Sequence, residues 1–118
     1  MQSITMSVKP QISGEDFEKL DIRTGTIVDA IPFEKARKPA YKIYLDLGEL
    51  GLLKTSAQIT DIYHIDELVG TQVVCIVNFP PKQIADFTSE CLILGAYSKD
   101  GVVLLSTEQK TKDGLSIG

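Results

Sequence analysis

Two apolar runs, Val73-Val74-Cys75-Ile76-Val77 and Cys91-Leu92-Ile93-Leu94, bound the segment that most constrains this chain: Asn78-Phe79-Pro80-Pro81-Lys82-Gln83-Ile84-Ala85-Asp86-Phe87-Thr88-Ser89-Glu90. Each run has the composition of a buried strand. The two prolines deny backbone donors to any ladder, and Phe79 and Phe87 are aromatic groups that a plain hairpin does not need. The fold must therefore carry a long, stiffened loop between two core strands, and such a loop is built to touch something.

The rest of the chain supplies a small β-rich domain around that loop. Residues 1–12 mix polar and apolar types without period and read as a flexible arm, leaving 13–118 as one domain. Ser13 can cap a helix starting at Gly14, with Asp16 reaching back and Phe17 and Leu20 on one face. A long first strand follows over 21–33, in which Gly25 predicts a bulge. Tyr41, Ile43, Leu45 and Leu47 alternate with Lys42, Tyr44 and Asp46, the period of a half-buried strand that places Tyr41 on the core side. Gly48 to Gly51 turns the chain into a third strand over 52–57. Residues 60–70 have apolar positions every three or four residues and end in glycine, which predicts a short, broken helix. Two further strands and a sixth over 102–105 complete the pattern, with a terminal turn at 112–115. Three strands, a short helix and two strands is the element order of the OB-fold, a five-stranded Greek-key barrel, here mainly β with short helices and extra terminal strands.

The residues offer little to catalysis. His64 is the only histidine, placed in the connector between strands as a surface or helix-end residue, and Cys75 and Cys91 lie inside apolar runs as buried thiols. The expectation is no enzyme, no metal and no cofactor. The start of the chain shows no basic stretch followed by an apolar h-region, and no apolar run approaches the length of a membrane span, so a soluble cytoplasmic protein without membrane insertion is expected.

Charge is more informative locally than globally. The net charge of −4 gives the whole molecule no pull on a polyanion. Yet Lys35, Arg37, Lys38 and Lys42 fall in a stretch without acidic residues, and Lys54 lies on the strand that would pair with it. Cations interleaved with Tyr44, Phe79 and Phe87 suit stacked bases, while Ser56, Asn78, Lys82 and Ser89 at strand ends can donate to phosphates, 2′-hydroxyls or peptide carbonyls, and spacing does not choose among these. Phe79, Pro80, Pro81, Ile84 and Phe87 beside positive charge suit an extended peptide equally well.

Three segments in register carry a resemblance: Asp21-Ile22-Arg23-Thr24-Gly25-Thr26-Ile27, Lys54-Thr55-Ser56-Ala57-Gln58-Ile59-Thr60, and the Asn-Phe-Pro-Pro loop continued to Ser89-Glu90 and Leu92-Ile93-Leu94-Gly95. They resemble the tRNA-binding-domain family of OB-folds, and within it the CsaA-type export chaperones. The resemblance implies a non-catalytic homodimer with a C-terminal dimerisation extension, binding unfolded or pre-secretory polypeptides, with an export motor as a further partner and structure-specific tRNA binding as the alternative. By position it implies ligand contacts from Asn78, Lys82 and Ser89 with Ser56 nearby; Arg37, Lys38, Lys42, Lys54, Phe79, Phe87 and Glu90 complete the candidate set. Asp86 stands where relatives carry glycine and Glu90 where tRNA binders carry a neutral residue, departures that favour polypeptide.

Overall fold

The computed structural model describes residues 7–118. The first six residues, half of the expected N-terminal arm, lie outside the described set; residues 7–12 are exposed and take no regular structure. Order starts where the capping signal places it. Ser13 Oγ accepts from the Asp16 backbone N–H, Asp16 returns a carboxylate to the Ser13 N–H, and the single turn α1 (Gly14–Glu18) follows.

Five strands form one antiparallel sheet in the order β3-β2-β1-β4-β7: β1 (Ile22–Pro32), β2 (Tyr41–Asp46), β3 (Leu52–Ala57), β4 (Gln72–Ile76) and β7 (Leu92–Ile93). The first strand holds the sheet together because it serves two partners. Its N-terminal half pairs with β4 from Ile22 opposite Ile76 to Thr26 opposite Gln72, and its C-terminal half pairs with β2 from Thr26 opposite Asp46 to Pro32 opposite Tyr41. The bulge that lets it bend falls between Ile27 and Asp29, not at Gly25. Gly25 has another use: a Cβ there would stand 2.5 Å from Leu47 Cδ2, so the glycine lets Leu47 seat fully in the core.

Curvature brings β3 round to the residues before β7, which makes a nearly closed five-stranded barrel with OB-fold element order. The barrel is filled by Ile27, Ile43, Leu45, Leu47, Ile59, Leu68, Val73, Cys75 and Cys91. The alternation in β2 holds, with Ile43 and Leu45 fully buried and Tyr41 packed against the same core. Both thiols are free and buried. Contact with Cys75, burial and the nearby Glu90 charge push the Cys91 thiol far up, so it stays protonated and inert at neutral pH.

Two short hairpins are added to the barrel. The loop between the core strands contains β5 (Lys82–Ile84) and β6 (Phe87–Ser89), with Pro80 and Pro81 just outside the ladder as their missing donors require. The other is β8 (Gly95–Ser98) with β9 (Gly101–Leu104), which holds Val102 to Leu104 of the sixth strand expected over 102–105. The helix expected over 60–70 does not form; a turn and the 3-10 segment Ile65–Glu67 replace it. Tertiary hydrogen bonds to Tyr63 explain the difference. Its carbonyl accepts from Tyr41 Oη at 2.8 Å and its hydroxyl accepts from the Leu104 N–H at 3.0 Å, so the segment is pinned between β2 and β9. His64 is exposed at the start of that 3-10 turn, a surface position as expected.

The C-terminal segment is a strap. Where β2 leaves β1, residues 114–117 take the vacated edge: Thr24 N–H donates to Leu115 O at 3.0 Å, Gly114 N–H to Thr24 O at 2.7 Å and Ile117 N–H to Ile22 O at 2.8 Å. Polar side chains, among them buried Thr24 and Gln72, fasten it further. Thr24 Oγ1 donates to Lys112 O and accepts from the Leu115 N–H, Thr26 Oγ1 donates to Asp113, and Gln72 bonds Thr107 and Thr111. The turn that starts the strap includes Gly114 at φ +84, where a Cβ would drive into the Leu47 carbonyl.

Candidate functional site

The expected contacts fall into three groups once the barrel is built. Lys42, Lys54 and Ser56 lie on one face of β2 and β3, where Phe87, Ser89 and Glu90 meet them, and Lys82 stands opposite Ser89 in the β5–β6 hairpin. Arg37 and Lys38 are exposed in the loop over 33–40. Asn78 and Phe79 stand apart at the root of the hairpin.

The face is built on an aromatic floor. Pairing of Tyr44 with Lys54 and of Lys42 with Ser56 sets two lysines side by side on adjacent strands, alternating with the core residues beneath. The hairpin lays Phe87 on them, only 5% exposed, and the loop over 33–40 adds Phe33, 4% exposed. Phe33 and Phe87 meet edge to face at 5.4 Å between centroids, and Tyr44 meets Phe87 at 6.3 Å. Lys42 Nζ stands 5.0 Å from the Phe33 centroid and 5.2 Å from that of Phe87, and Lys54 Nζ is 5.1 Å from Phe87. Two ammonium groups therefore share one ring. Among the described residues the ion pairs are Lys19–Asp16, Arg23–Asp21 and Lys35–Asp86, so neither Lys42 nor Lys54 has a carboxylate partner. The pair is held by π-faces and open to an anionic ligand.

Ser56, Ser89 and Glu90 help to close the barrel. Glu90 N–H donates to Lys54 O at 2.8 Å while Glu90 Oε1 accepts from the Lys54 N–H at 3.0 Å, so one glutamate satisfies both backbone groups of a strand residue. Ser89 Oγ accepts from the Ser56 N–H at 3.0 Å and lies 3.1 Å from Ser56 Oγ. Thr55 Oγ1 donates to Cys91 O at 2.6 Å. The seam between β3 and the β6–β7 segment is thus joined largely by side chains, and the Glu90 carboxylate is engaged by the Lys54 N–H.

Asn78 is likewise committed within the protein. Its carbonyl oxygen accepts from the Asp21 N–H at 2.9 Å and its amide donates to Lys19 O at 2.7 Å, tying the end of α1 and the entry to β1 to the root of the loop. Phe79 is 45% exposed. Phe87, expected at the surface, is a buried platform for the lysines above it. Phe33 escaped the sequence reading altogether; nothing local distinguishes it, because its partner lies far along the chain. An open cleft of about 420 Å³ runs beside the floor, lined by Phe33, Ala36, Arg37, Pro39 and Tyr41 among others.

The tip of the hairpin carries the last charge. Asp86 Oδ2 accepts from Lys35 Nζ at 3.0 Å, and that bond, with the charges of Lys35 and Lys42, holds the Asp86 carboxyl below the usual aspartate range. Among the described residues no cluster of three or more His, Cys, Asp or Glu is placed to hold a metal ion. No helix among them is long and apolar enough to cross a membrane.

Residues 22–116 match a family model described as a putative tRNA binding domain. Two solved structures are similar over 92% of this chain and their whole length, each with a TM-score of 0.88: the CsaA chaperone of Bacillus anthracis at 44% identity and that of Picrophilus torridus at 46%. A methionine–tRNA ligase of Methanococcoides burtonii is 34% identical over 110 residues. The chain spans only 16% of that ligase's length.

Proposed function

The chain belongs to the tRNA-binding-domain family, and from that membership we propose that it is a non-catalytic, homodimeric chaperone of the CsaA kind that binds unfolded or pre-secretory polypeptides in the cytoplasm. The observation that carries the reading is the identity of 44–46% to two CsaA chaperones along their entire length. The geometry of the face agrees with it. The cleft beside Phe33 offers apolar contact next to two ammonium groups without carboxylate partners, and exposed Phe79 at the root of the hairpin adds a separate apolar contact for an extended chain with mixed side chains. Delivery of such clients to an export motor would follow from the same role. Self-association is supported by the β8–β9 hairpin, where Tyr97 and Val103 are exposed with Leu105 just beyond. Sedimentation of the intact chain at micromolar concentration is expected to give a dimer, and a stable monomer there would count against this part of the reading.

Lys42 and Lys54, free of carboxylates on an aromatic floor, specifically favour a second reading, tRNA binding by phosphate contact. Side-by-side titration against total tRNA and an unfolded preprotein at physiological salt separates the two. The expected result is tighter binding of the preprotein, weakened in Phe79→Ala by about 1–3 kcal/mol with little change in salt dependence. Preferential tRNA binding with a steep salt dependence would overturn the chaperone reading.

A further inference from the structure

The turn joining β5 to β6 consists of Ala85 and Asp86, and it is not a relaxed one. Ala85 has φ +52, a left-handed conformation that favours glycine and persists only where its surroundings enforce it. The enforcement is visible on both sides of the tip. Gln83 Nε2 donates to Ala85 O at 2.9 Å and Thr88 Oγ1 donates to Gln83 Oε1 at 2.6 Å, bracing the hairpin from its outer side. From its inner side, Asp86 reaches Lys35 on the loop over 33–40, a residue 51 positions away in the chain. The strained turn thus delivers a carboxylate to Lys35, on the loop beside the face that carries Lys42 and Lys54.

That placement has a consequence for any ligand on this face. Lys42 and Lys54 stand over the Phe33–Phe87 floor with Lys35 on the adjoining loop; of the acidic side chains near it, Glu34 lines the cleft beside Phe33, Glu90 is bonded to the Lys54 backbone, and Asp86 is the one among the described residues that pairs with one of these lysines. We propose that Asp86 is an internal counter-ion of the ligand-binding face: it engages Lys35, sets a negative charge beside Lys42, and so biases the site against the phosphates of single-stranded RNA. Asp86 is then a specificity-determining residue. The inference rests on the reading that this face binds the ligand, and it deepens that reading by assigning the discrimination to one side chain. Both partners of the ion pair are substantially exposed, 70% for Lys35 and 52% for Asp86, so the effect is a moderate bias and not an absolute block.

The test is a set of titrations with an oligouridylate as the RNA probe, repeated at several salt concentrations. Asp86→Asn, which keeps a residue suited to the turn, is expected to raise oligouridylate affinity by about two- to fivefold at low salt, the worth of an exposed ion pair. It should also steepen the dependence of log K on log salt by about 0.7, the increment for one added phosphate contact on a single strand. Lys35→Ala should weaken RNA binding more in the Asp86→Asn background, where the ammonium is free, than in the parent, where it is occupied. Equal effects of Lys35→Ala in the two backgrounds, or an Asp86→Asn curve that overlays the parent, would overturn the proposal. Lys42→Ala separates the two levels of failure. If it weakens binding while Asp86→Asn changes nothing, only the counter-ion role fails; if it too leaves oligouridylate and polypeptide binding unchanged, the face is not the site. Thermal melts of each variant confirm that the folded protein is compared.

Discussion

Deleting residues 108–118 is expected to unfold this protein or leave it aggregated, and not merely to shed a surface tail. The deletion removes three backbone hydrogen bonds from the edge of β1, strips buried Thr24 and half-buried Thr26 of their partners, and takes from buried Gln72 its bonds to Thr111 and Asp113. Each lost hydrogen bond is worth about 0.5–1.5 kcal/mol, and each buried group left without a partner adds about 1–3 kcal/mol. Their sum reaches the 5–15 kcal/mol, roughly, that stabilises a whole domain of this size. It also bares a strand edge to neighbouring molecules, which is a route to aggregation. Circular dichroism and thermal melting read the result. A truncated chain that melts cooperatively near the parent's temperature would show that the strap is dispensable. Thr24→Val isolates one fastening and should cost about 1–3 kcal/mol, since it orphans the Lys112 carbonyl and the Leu115 N–H together.

Phe87→Ala is the second large effect. Truncating a buried phenylalanine costs about 3–5 kcal/mol, and here the cavity would open under Phe33, Tyr44 and both lysines. The loss should appear first as a fall in the midpoint of urea unfolding. Loss of ligand affinity should accompany it, because Lys42 and Lys54 lose the ring that orients them. Phe87→Leu keeps most of the apolar volume but removes the π-face, so it should fold with a smaller penalty while still loosening the two ammonium groups. A Phe87→Ala protein as stable as the parent would mean that the aromatic floor does not hold the hairpin down.

What could be read from the residues alone was whatever is encoded locally. The period of two across Tyr41 to Leu47 requires nothing but neighbours, and the Ser13–Asp16 capping box closes within four residues; both appear in the structure as expected. The two prolines similarly marked where no ladder can run, and Pro80 and Pro81 stand just outside β5. The failures are tertiary. Periodicity over 60–70 pointed to a helix, but hydrogen bonds from Tyr41 and Leu104 to Tyr63 outweigh a marginal helical tendency. The β5–β6 hairpin gave no sign because its strands are three residues each and its turn has alanine where glycine would announce it. Gly25 was correctly marked as special but for the wrong reason: its missing Cβ makes room for Leu47, a contact across the barrel that no local pattern reveals.

The candidate face shows the same division. Clustered cations and aromatics were visible as residue types, and the pairing of β2 with β3 does bring Lys42 and Lys54 together. The tasks of individual polar groups were not visible. Ser89 read as a ligand contact because it is polar and stands at a strand end, and Glu90 joined the set with the resemblance; in the structure both also serve the backbone of β3, which needs partners there. Asn78 looked available for the same reason, and both halves of its amide are claimed by residues that precede it by almost sixty positions. Long-range bookkeeping of backbone donors decides these roles, and a single sequence does not display it.

The claim on which the account turns is that ligand binds over the Phe33–Phe87 floor, between the loop over 33–40 and the β5–β6 hairpin. Amide chemical-shift mapping tests it most directly: the isotopically labelled protein is titrated to saturation with an unfolded preprotein segment. The account predicts that the perturbed amides cluster at residues 33–44, 52–57 and 79–90, with the strap and the β8–β9 hairpin largely unmoved. Perturbations confined to the β8–β9 hairpin or to the strap, with Lys42, Lys54 and Phe87 unchanged, would contradict it.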